Sequence, residues 1–499
     1  MTRYIAFDLG ASNGRCVIGR FDGGRLSLEI VNRFENSPIE IMGHFYWDIL
    51  GLYQNMKNSL LALGREVTGD LVSLGIDTWG CDFALLDKQG KLAGNPYCYR
   101  DPQTRGIFSE ADKWVSREEI FEYTGLQFLE WNSLYQLLAM AMRQDPTYQI
   151  AGTFLHIPDL LHYWLTGEKA SEYTSASTSQ LLEARSKDWA YPLIRKLGFP
   201  EQIFPPVIQP GTPLGQLRSA LEEETGLTGI DVIATATHDT AAAIAAVPTD
   251  SPHFAYISSG TWALLGQEID QPLINADCLR LNLTNEGCAF DKFAFLRNIA
   301  NLWLLQECRR AWLADDDGLG WEQLVDLALS ARPFLAFVDP DDPGFLLPGN
   351  MPACIQAYCQ RSSQAVPQTR EEITRVVLES LAMKYRFTLE RILAVTGKRI
   401  ETLHIIGGGS RNRLLNQFTA NAIRTPVKAG PFEATAIGNI LVQMAAKGEV
   451  SSLAETREVV RRSFPGEAFD PQDADRWEEE YQRFLKVTGL SNQGGQPFF

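Results

Sequence analysis

The chain has 499 residues, 45% of them hydrophobic, and a formal net charge of −16. That length fits two or three domains with a sizeable core. The acidity argues against a nucleic-acid or anionic-membrane partner, though not against ATP, which a few backbone amides and a metal hold. Eight scattered cysteines with no Cys-x-x-Cys disfavour a zinc site or a secreted disulfide framework and fit reduced thiols in a cytoplasm. Neither a signal-peptide pattern nor an apolar run near the ~18 residues of a membrane span is present.

In chain order, residues 4–19 read as strand, tight turn, strand. Gly10 and Gly14 let backbone N–H groups approach a ligand closely, Ser12 and Asn13 add donors, and Asp8 at the strand end can hold a hydrated Mg²⁺. An ordinary hairpin is the competing reading. Asp22-Gly23-Gly24 turns the chain into a third strand over residues 25–34. Trp47, Leu50, Tyr53, Met56, Leu60 and Leu61 recur at helical spacing, with Gly64 as a stop. A buried-type strand, residues 71–76, ends at Asp77-Thr78-Trp79-Gly80, and residues 82–86 form a short strand after it. The start is therefore α/β with antiparallel strands first.

Helical spacing dominates residues 116–191. Residues 229–236 form another strand candidate, followed by His238-Asp239-Thr240 and an Ala-rich helix ended before Pro248. The Pro248–Pro252 stretch marks a lobe boundary. Beyond it, residues 254–266 repeat the opening design: a β-prone run, the turn Ser258-Ser259-Gly260-Thr261, then a second run from Trp262. Two such units half a chain apart predict two similar lobes whose loops grip a polyphosphate from opposite sides. A long helix over residues 371–395 stops at Gly397. A strand over residues 402–406 runs into Gly407-Gly408-Gly409-Ser410 and a helix, and residues 433–446 form a further helix. The expected division is 1–247, 252–470 and a helical tail over 471–499.

No Walker pattern is present, and no Gly-x-Gly-x-x-Gly follows a strand. The Gly407–Ser410 run allows a flat nucleoside to lie on bare backbone beside a helix N-terminus, or is only a structural turn. Asp239 is the candidate general base. Its competing reading is a helix N-cap, a position that would lower its pKa and keep it ionised. Asp77 pairs with Asp8 as a second carboxylate near a metal, or caps a turn. His238 hydrogen-bonds a hydroxylated substrate or is structural. Trp79 and Trp262 stack on a sugar or belong to the core. Tyr99-Arg100-Asp101 lines a pocket or forms a surface ion pair.

Taken together, Asp8-Leu9-Gly10-Ala11-Ser12-Asn13-Gly14-Arg15, Gly75-Ile76-Asp77-Thr78-Trp79-Gly80, His238-Asp239-Thr240-Ala241, Ser259-Gly260-Thr261-Trp262 and Gly407-Gly408-Gly409-Ser410 resemble the FGGY family of carbohydrate kinases, from Tyr4 to about Phe469. The resemblance implies a two-lobed actin-like, ribonuclease H-like fold with ATP and Mg²⁺ in the cleft. By the same resemblance Ala11, Ser12, Asn13, Gly14, Arg15 and Thr261 are phosphate contacts, Gly408 an adenosine contact and Gln306 a further nucleotide contact. Gly80, His238, Asp239, Thr240 and Asn298 are sugar contacts, Asp239 is the base and Asp8 faces the metal. Asn13 stands where many relatives have Ser, and no cysteine pair is expected. The Asp-Thr-Trp-Gly, Tyr-Arg-Asp and Thr-His-Asp-Thr-Ala combination is most similar to members acting on the 1-hydroxyl of L-rhamnulose, with L-fuculose and D-xylulose next. An actin-like ATPase without sugar transfer and a sugar-sensing module are the rival readings. The oligomeric state, monomer or dimer, stays open.

Overall fold

The computed structural model describes residues 1–66, 71–313, 318–346 and 349–490. The chain forms two compact units. The first comprises Met1–Asp250, Glu268–Phe295 and Ala434–Ser463; the second comprises Ser251–Gln267, Leu296–Glu433 and Phe464–Phe499. Residues 434–463, which the sequence assigns to a lobe spanning 252–470, thus fold with the first unit.

The first unit is built on a six-stranded sheet in the order Thr212–Gln216, Asp231–Ala234, Leu71–Thr78, Thr2–Leu9, Asn13–Phe21, Leu26–Glu35. The opening three strands are an antiparallel meander, and Thr2–Leu9, Leu71–Thr78 and Asp231–Ala234 run parallel. Ile5, Phe7, Leu74, Ile76 and Val232 are fully buried, as expected for central strands covered on both faces. Asp8 stands opposite Asp77 in the parallel register, and Thr78 bridges to His238. The carboxyl ends of three strands therefore bring Asp8, Asp77 and the His238-Asp239 junction to one edge, where open α/β sheets hold ligands.

Two glycines explain how helices close on this sheet. Helix Ile49–Glu66 passes straight through Gly64, so Gly64 is no stop. A Cβ there would collide with the Thr225 carbonyl of helix Ser219–Thr225. Gly438, on helix Ala434–Ala446, likewise leaves room only for the Ala242 carbonyl of helix Asp239–Ala245.

The second unit repeats the design. Phe254–Ser259 pairs antiparallel with Trp262–Ile269 and parallel with Thr402–Ile406, which in turn runs parallel to Val427–Ala429. The long helix is Arg370–Thr396; Thr369 and Glu372 form a capping box and Gly397 ends it in a left-handed conformation. Residues 116–191 differ from their helical expectation. Helices Arg117–Thr124, Ser133–Met142 and Ile157–Thr166 are there, but Ala151–His156 is a strand paired with Phe83–Asp87. The tail contains helix Ala474–Val487; residues 491–499 lie outside the described part. All eight cysteines are free, and no described helix is long and apolar enough to cross a membrane.

Candidate active site

In the first unit, three carboxylates gather at the strand ends. Asp8 is nearly buried, and its Oδ2 accepts Arg15 Nε at 3.0 Å and Nη2 at 2.5 Å. The loop after it is held by backbone and by one residue that sequence reasoning missed. Gly10 N–H donates to the Asn13 carbonyl at 2.9 Å, while Asn36 Nδ2 donates to the Gly10 carbonyl at 2.8 Å and Asn36 N–H to the Ser12 carbonyl at 3.2 Å. Ser12 and Asn13 are exposed at the tip, Ala11 and Arg15 half-buried, and Gly14 is packed under the Phe34 ring. Such a pinned loop with bare amides is a ready anion cradle.

Asp77 is fully buried. Its Oδ2 accepts Asn439 Nδ2 at 2.6 Å and its Oδ1 has no partner. Burial first, then the charge of Asp8, hold its carboxyl well above the ordinary range; Asp239 adds to this and Asn439 opposes it. Asn439 is itself braced. Gln443 Nε2 donates to Asn439 Oδ1 at 2.8 Å and to the Ile5 carbonyl at 2.9 Å, and Ser73 Oγ donates to Gln443 Oε1 at 2.7 Å.

Asp239 is the first residue of its helix, not the cap; that place belongs to His238. The expectation of a lowered pKa is reversed. Burial and then the Asp8 charge raise the carboxyl to about 7, opposed by the Thr240 N–H and hydroxyl, the latter at 3.3 Å. Desolvation and a like charge outweigh one short helix's partial charge. The side chain still keeps 35% of its surface, so it is open to a substrate.

His238 is 6% exposed. Its Nε2 lies 3.5 Å from Asp239 Oδ1 and its Nδ1 3.6 Å from Glu286 Oε2. Burial lowers its pKa, Glu286 opposing, so the ring is neutral at neutral pH and either donates or accepts at each nitrogen. Gly80 completes the group: a Cβ there would stand 3.2 Å from the His238 ring and 3.0 Å from the Thr178 side chain. Gly80, His238, Asp239 and Thr240 therefore come together within this unit. Asn298, the remaining sugar candidate, is half-buried on strand Phe293–Ala300, in the part from Leu296 onward that belongs to the second unit.

Trp79 and the Tyr99-Arg100-Asp101 stretch turn out to be supports. Asp82 is buried, and its Oδ2 accepts Trp47 Nε1 at 2.6 Å, Trp79 Nε1 at 2.9 Å and Tyr99 N–H at 3.1 Å, while its Oδ1 accepts Gln136 Nε2 at 2.8 Å. Trp79 packs on Trp47 with centroids 4.2 Å apart and is 6% exposed. Asp101 is buried and accepts the N–H groups of Phe45 and Gln103, so it is no surface ion pair.

In the second unit, the turn before Trp262 is closed by Gly260 N–H on the Trp262 carbonyl at 2.9 Å. Asn301 braces it, with Nδ2 donating to Ser259 Oγ at 3.0 Å and to the Gly260 carbonyl at 2.9 Å, and Tyr385 OH donates to Asn301 Oδ1. Thr261 is half-buried at the tip. Gly407, at φ +82°, and Gly409 fit directly against Ser259, and Gly408 is exposed. Thr261 and the glycine run are thus neighbours through Ser259. Gln306 is half-buried on helix Trp303–Trp312, and the Trp303 N–H donates to the Thr261 carbonyl at 3.3 Å.

Residues 3–245 match the N-terminal domain, and residues 255–447 the C-terminal domain, of the FGGY family of carbohydrate kinases. A rhamnulokinase from Bacteroides thetaiotaomicron is 44% identical over 481 residues, covering 96% of this chain and 98% of that one. One from Enterococcus faecalis is 39% identical, covering 98% of each. Among solved structures, a gluconate kinase from Lactobacillus acidophilus superposes with a TM-score of 0.80 at 14% identity, covering 99% of each chain. A Plasmodium falciparum glycerol kinase with ADP gives 0.78 at 17% identity, also covering 99% of each.

Proposed function

The chain belongs to the FGGY family of carbohydrate kinases and has its actin-like two-domain α/β fold, and from that premise we propose that it transfers the γ-phosphoryl group of ATP to the 1-hydroxyl of L-rhamnulose. The observation that carries the chemistry is Asp239. It is a carboxyl raised to about 7, open to substrate, and flanked by His238, against whose ring Gly80 packs. The sugar rests on the rhamnulokinase relatives that match nearly the whole chain.

Asp239 accepts the proton of the sugar hydroxyl as the new O–P bond forms and the bond to the ADP oxygen breaks. The proton then passes to solvent. Base strength matters little because that proton leaves late in a loose transition state. Neutral His238, Gly80, Thr240 and Asn298 are the proposed sugar contacts. Ala11 to Arg15 and Thr261 are the proposed phosphate contacts, Gly408 lies under the adenosine, and Gln306 is a further nucleotide contact.

The donor set fits Mg²⁺. The Asp8 charge raises the proton affinity of both Asp77 and Asp239, Asp239 adds to that of Asp77, and one buried Asp77 oxygen has no partner. No closed cage of three or more ligating side chains exists among the described residues, which suits an ion that keeps waters and phosphate oxygens in its shell. Asp8 would hold it; bound there, Mg²⁺ offsets the charge on the transferring phosphoryl group. A cytoplasmic enzyme, monomeric or dimeric, completes the reading.

An ADP-release assay across L-rhamnulose, L-fuculose and D-xylulose tests it. The highest kcat/KM is expected with L-rhamnulose. ATP hydrolysis unaffected by any sugar would instead indicate an ATPase, and sugar binding without turnover a sensor.

A further inference from the structure

Residues 171–180, Ser-Glu-Tyr-Thr-Ser-Ala-Ser-Thr-Ser-Gln, are buried without exception, although such a composition ordinarily lies at the surface. Apart from Ser171 Oγ and Glu172 Oε1, which are buried without a partner, their Ser, Thr, Glu and Gln side chains are hydrogen-bonded inside, and where those bonds go is informative.

Those of Glu172, Thr174, Ser175 and Thr178 go to the two chain segments that present the sugar-facing residues, while Ser177 and Gln180 bond Gly287, Leu126 and Asn132. Glu172 is completely buried, and one oxygen, Oε2, accepts four donors: Thr174 Oγ1 at 2.5 Å, Thr237 Oγ1 at 2.5 Å, Thr237 N–H at 3.1 Å and Ser175 N–H at 3.3 Å. Thr174 Oγ1 spends its proton on Glu172 and uses a lone pair to accept the His238 N–H at 3.1 Å. Ser175 Oγ and Thr237 Oγ1 lie 2.8 Å apart. The Thr237 carbonyl accepts the Thr78 N–H at 2.8 Å, tying the junction to the strand that bears Asp77. Further along, Thr178 Oγ1 accepts the Cys81 N–H at 2.9 Å beside Gly80.

Asp239 follows this clamp by one peptide. Its own helix is short, and the His238 side chain at the cap makes no capping hydrogen bond. The backbone before it is thus held by Glu172, directly at Thr237 and through Thr174 at His238. Four donors converging on one oxygen suit a charged carboxylate better than a neutral amide carbonyl, whose hydrogen bonds are roughly half as strong. Burial drives Glu172 up to about 7, and the two threonine hydroxyls oppose that rise.

We propose that Glu172 is a positioning residue for phosphoryl transfer: its Oε2, with Thr174 and Thr237, fixes the His238-Asp239 junction so that the base meets the sugar hydroxyl. This rests on the assignment of Asp239 as the base. Misplacement of a reacting group by about 1 Å costs up to roughly 100-fold in rate, so the effect falls on kcat and not on nucleotide binding.

The test uses the full-length protein and whichever ketose the wild type turns over. Glu172→Gln should lower kcat at least about tenfold while KM for ATP stays within about twofold. Thr174→Val, which removes a single hydroxyl and leaves the carboxyl, should lower kcat in the same direction, and Thr174→Ser should restore it. The double variant Glu172→Gln/Thr174→Val should be no worse than the weaker single variant, because both break one chain of bonds. Wild-type kcat in both Glu172→Gln and Thr174→Val would overturn the inference. So would losses of kcat, KM and thermal midpoint that move together and are not restored by Thr174→Ser. Inactivity of wild type towards L-rhamnulose with activity on another ketose would refute the substrate and leave this test intact.

Discussion

Gly438→Ala probes how a helix from far along the chain supports the catalytic edge. Helix Ala434–Ala446 crosses helix Asp239–Ala245 at this glycine. An added Cβ would lie 2.5 Å from the Ala242 carbonyl carbon and 3.1 Å from its Cα, against the ~3.5–4.0 Å of unstrained carbon contact. Because the Ala242 carbonyl oxygen would lie only 1.7 Å away, the helices must part by more than about 1 Å, which costs ~1–3 kcal/mol, at the upper end because the obstacle is backbone. Replacing Gly by Ala within a helix returns ~1 kcal/mol. The neighbouring Asn439, which donates to Asp77 at 2.6 Å, is dragged away, losing ~1 kcal/mol. The balance is destabilisation by ~2–3 kcal/mol, with reduced kcat because Asp239 rides on the displaced helix. Urea denaturation and steady-state kinetics measure both. A change below ~0.5 kcal/mol with unaltered kcat would refute the packing argument.

Two further outcomes follow from the buried acids. Asp239 must be ionised to accept a proton, and its pKa is about 7; kcat/KM for the sugar should therefore rise up to about tenfold from pH 6 to pH 8, with Mg²⁺ moving the midpoint downward. A flat profile from pH 5 to pH 8 contradicts this. The folded-state pKa of Asp77 is raised above its ordinary 3.8. The folded protein then binds its proton more tightly than the unfolded chain, so the stability from this group is full below that value and is lost as pH rises through the raised one. Asp77→Asn should flatten the fall in denaturation free energy between pH 4 and pH 8; an unchanged slope assigns that fall to other groups.

Much of the architecture was legible because its signals are local. Both strand–turn–strand units, the strand Thr402–Ile406 and the long capped helix carry their own periodicity and turn residues. Gly64 misled because the same residue that ends helices also admits a crossing backbone. The placement of helix Ala434–Ala446 in the first unit was invisible, since its partners Ser73, Asp77 and Ala242 lie hundreds of residues earlier. At the site, the loops and Asp239 announce themselves by residue type at strand ends. The sign of Asp239's shift did not, because it comes from burial and from Asp8 across the sheet. Asn36, Asn439, Glu172 and Glu286 escaped because polar residues read as surface until their donors are known. Seven Ser, Thr and Glu residues within the nine of residues 171–179 were the available hint.

The most direct measurement is made on Asp239→Asn, with sugar affinity by calorimetry beside turnover by ADP release. The amide keeps the shape and much of the polarity of the carboxyl and cannot accept the proton, so sugar affinity should change by no more than a few-fold while kcat falls about 10²–10⁴-fold. Turnover near the wild-type value, with sugar bound, would contradict the role given to this residue and with it the proposed mechanism.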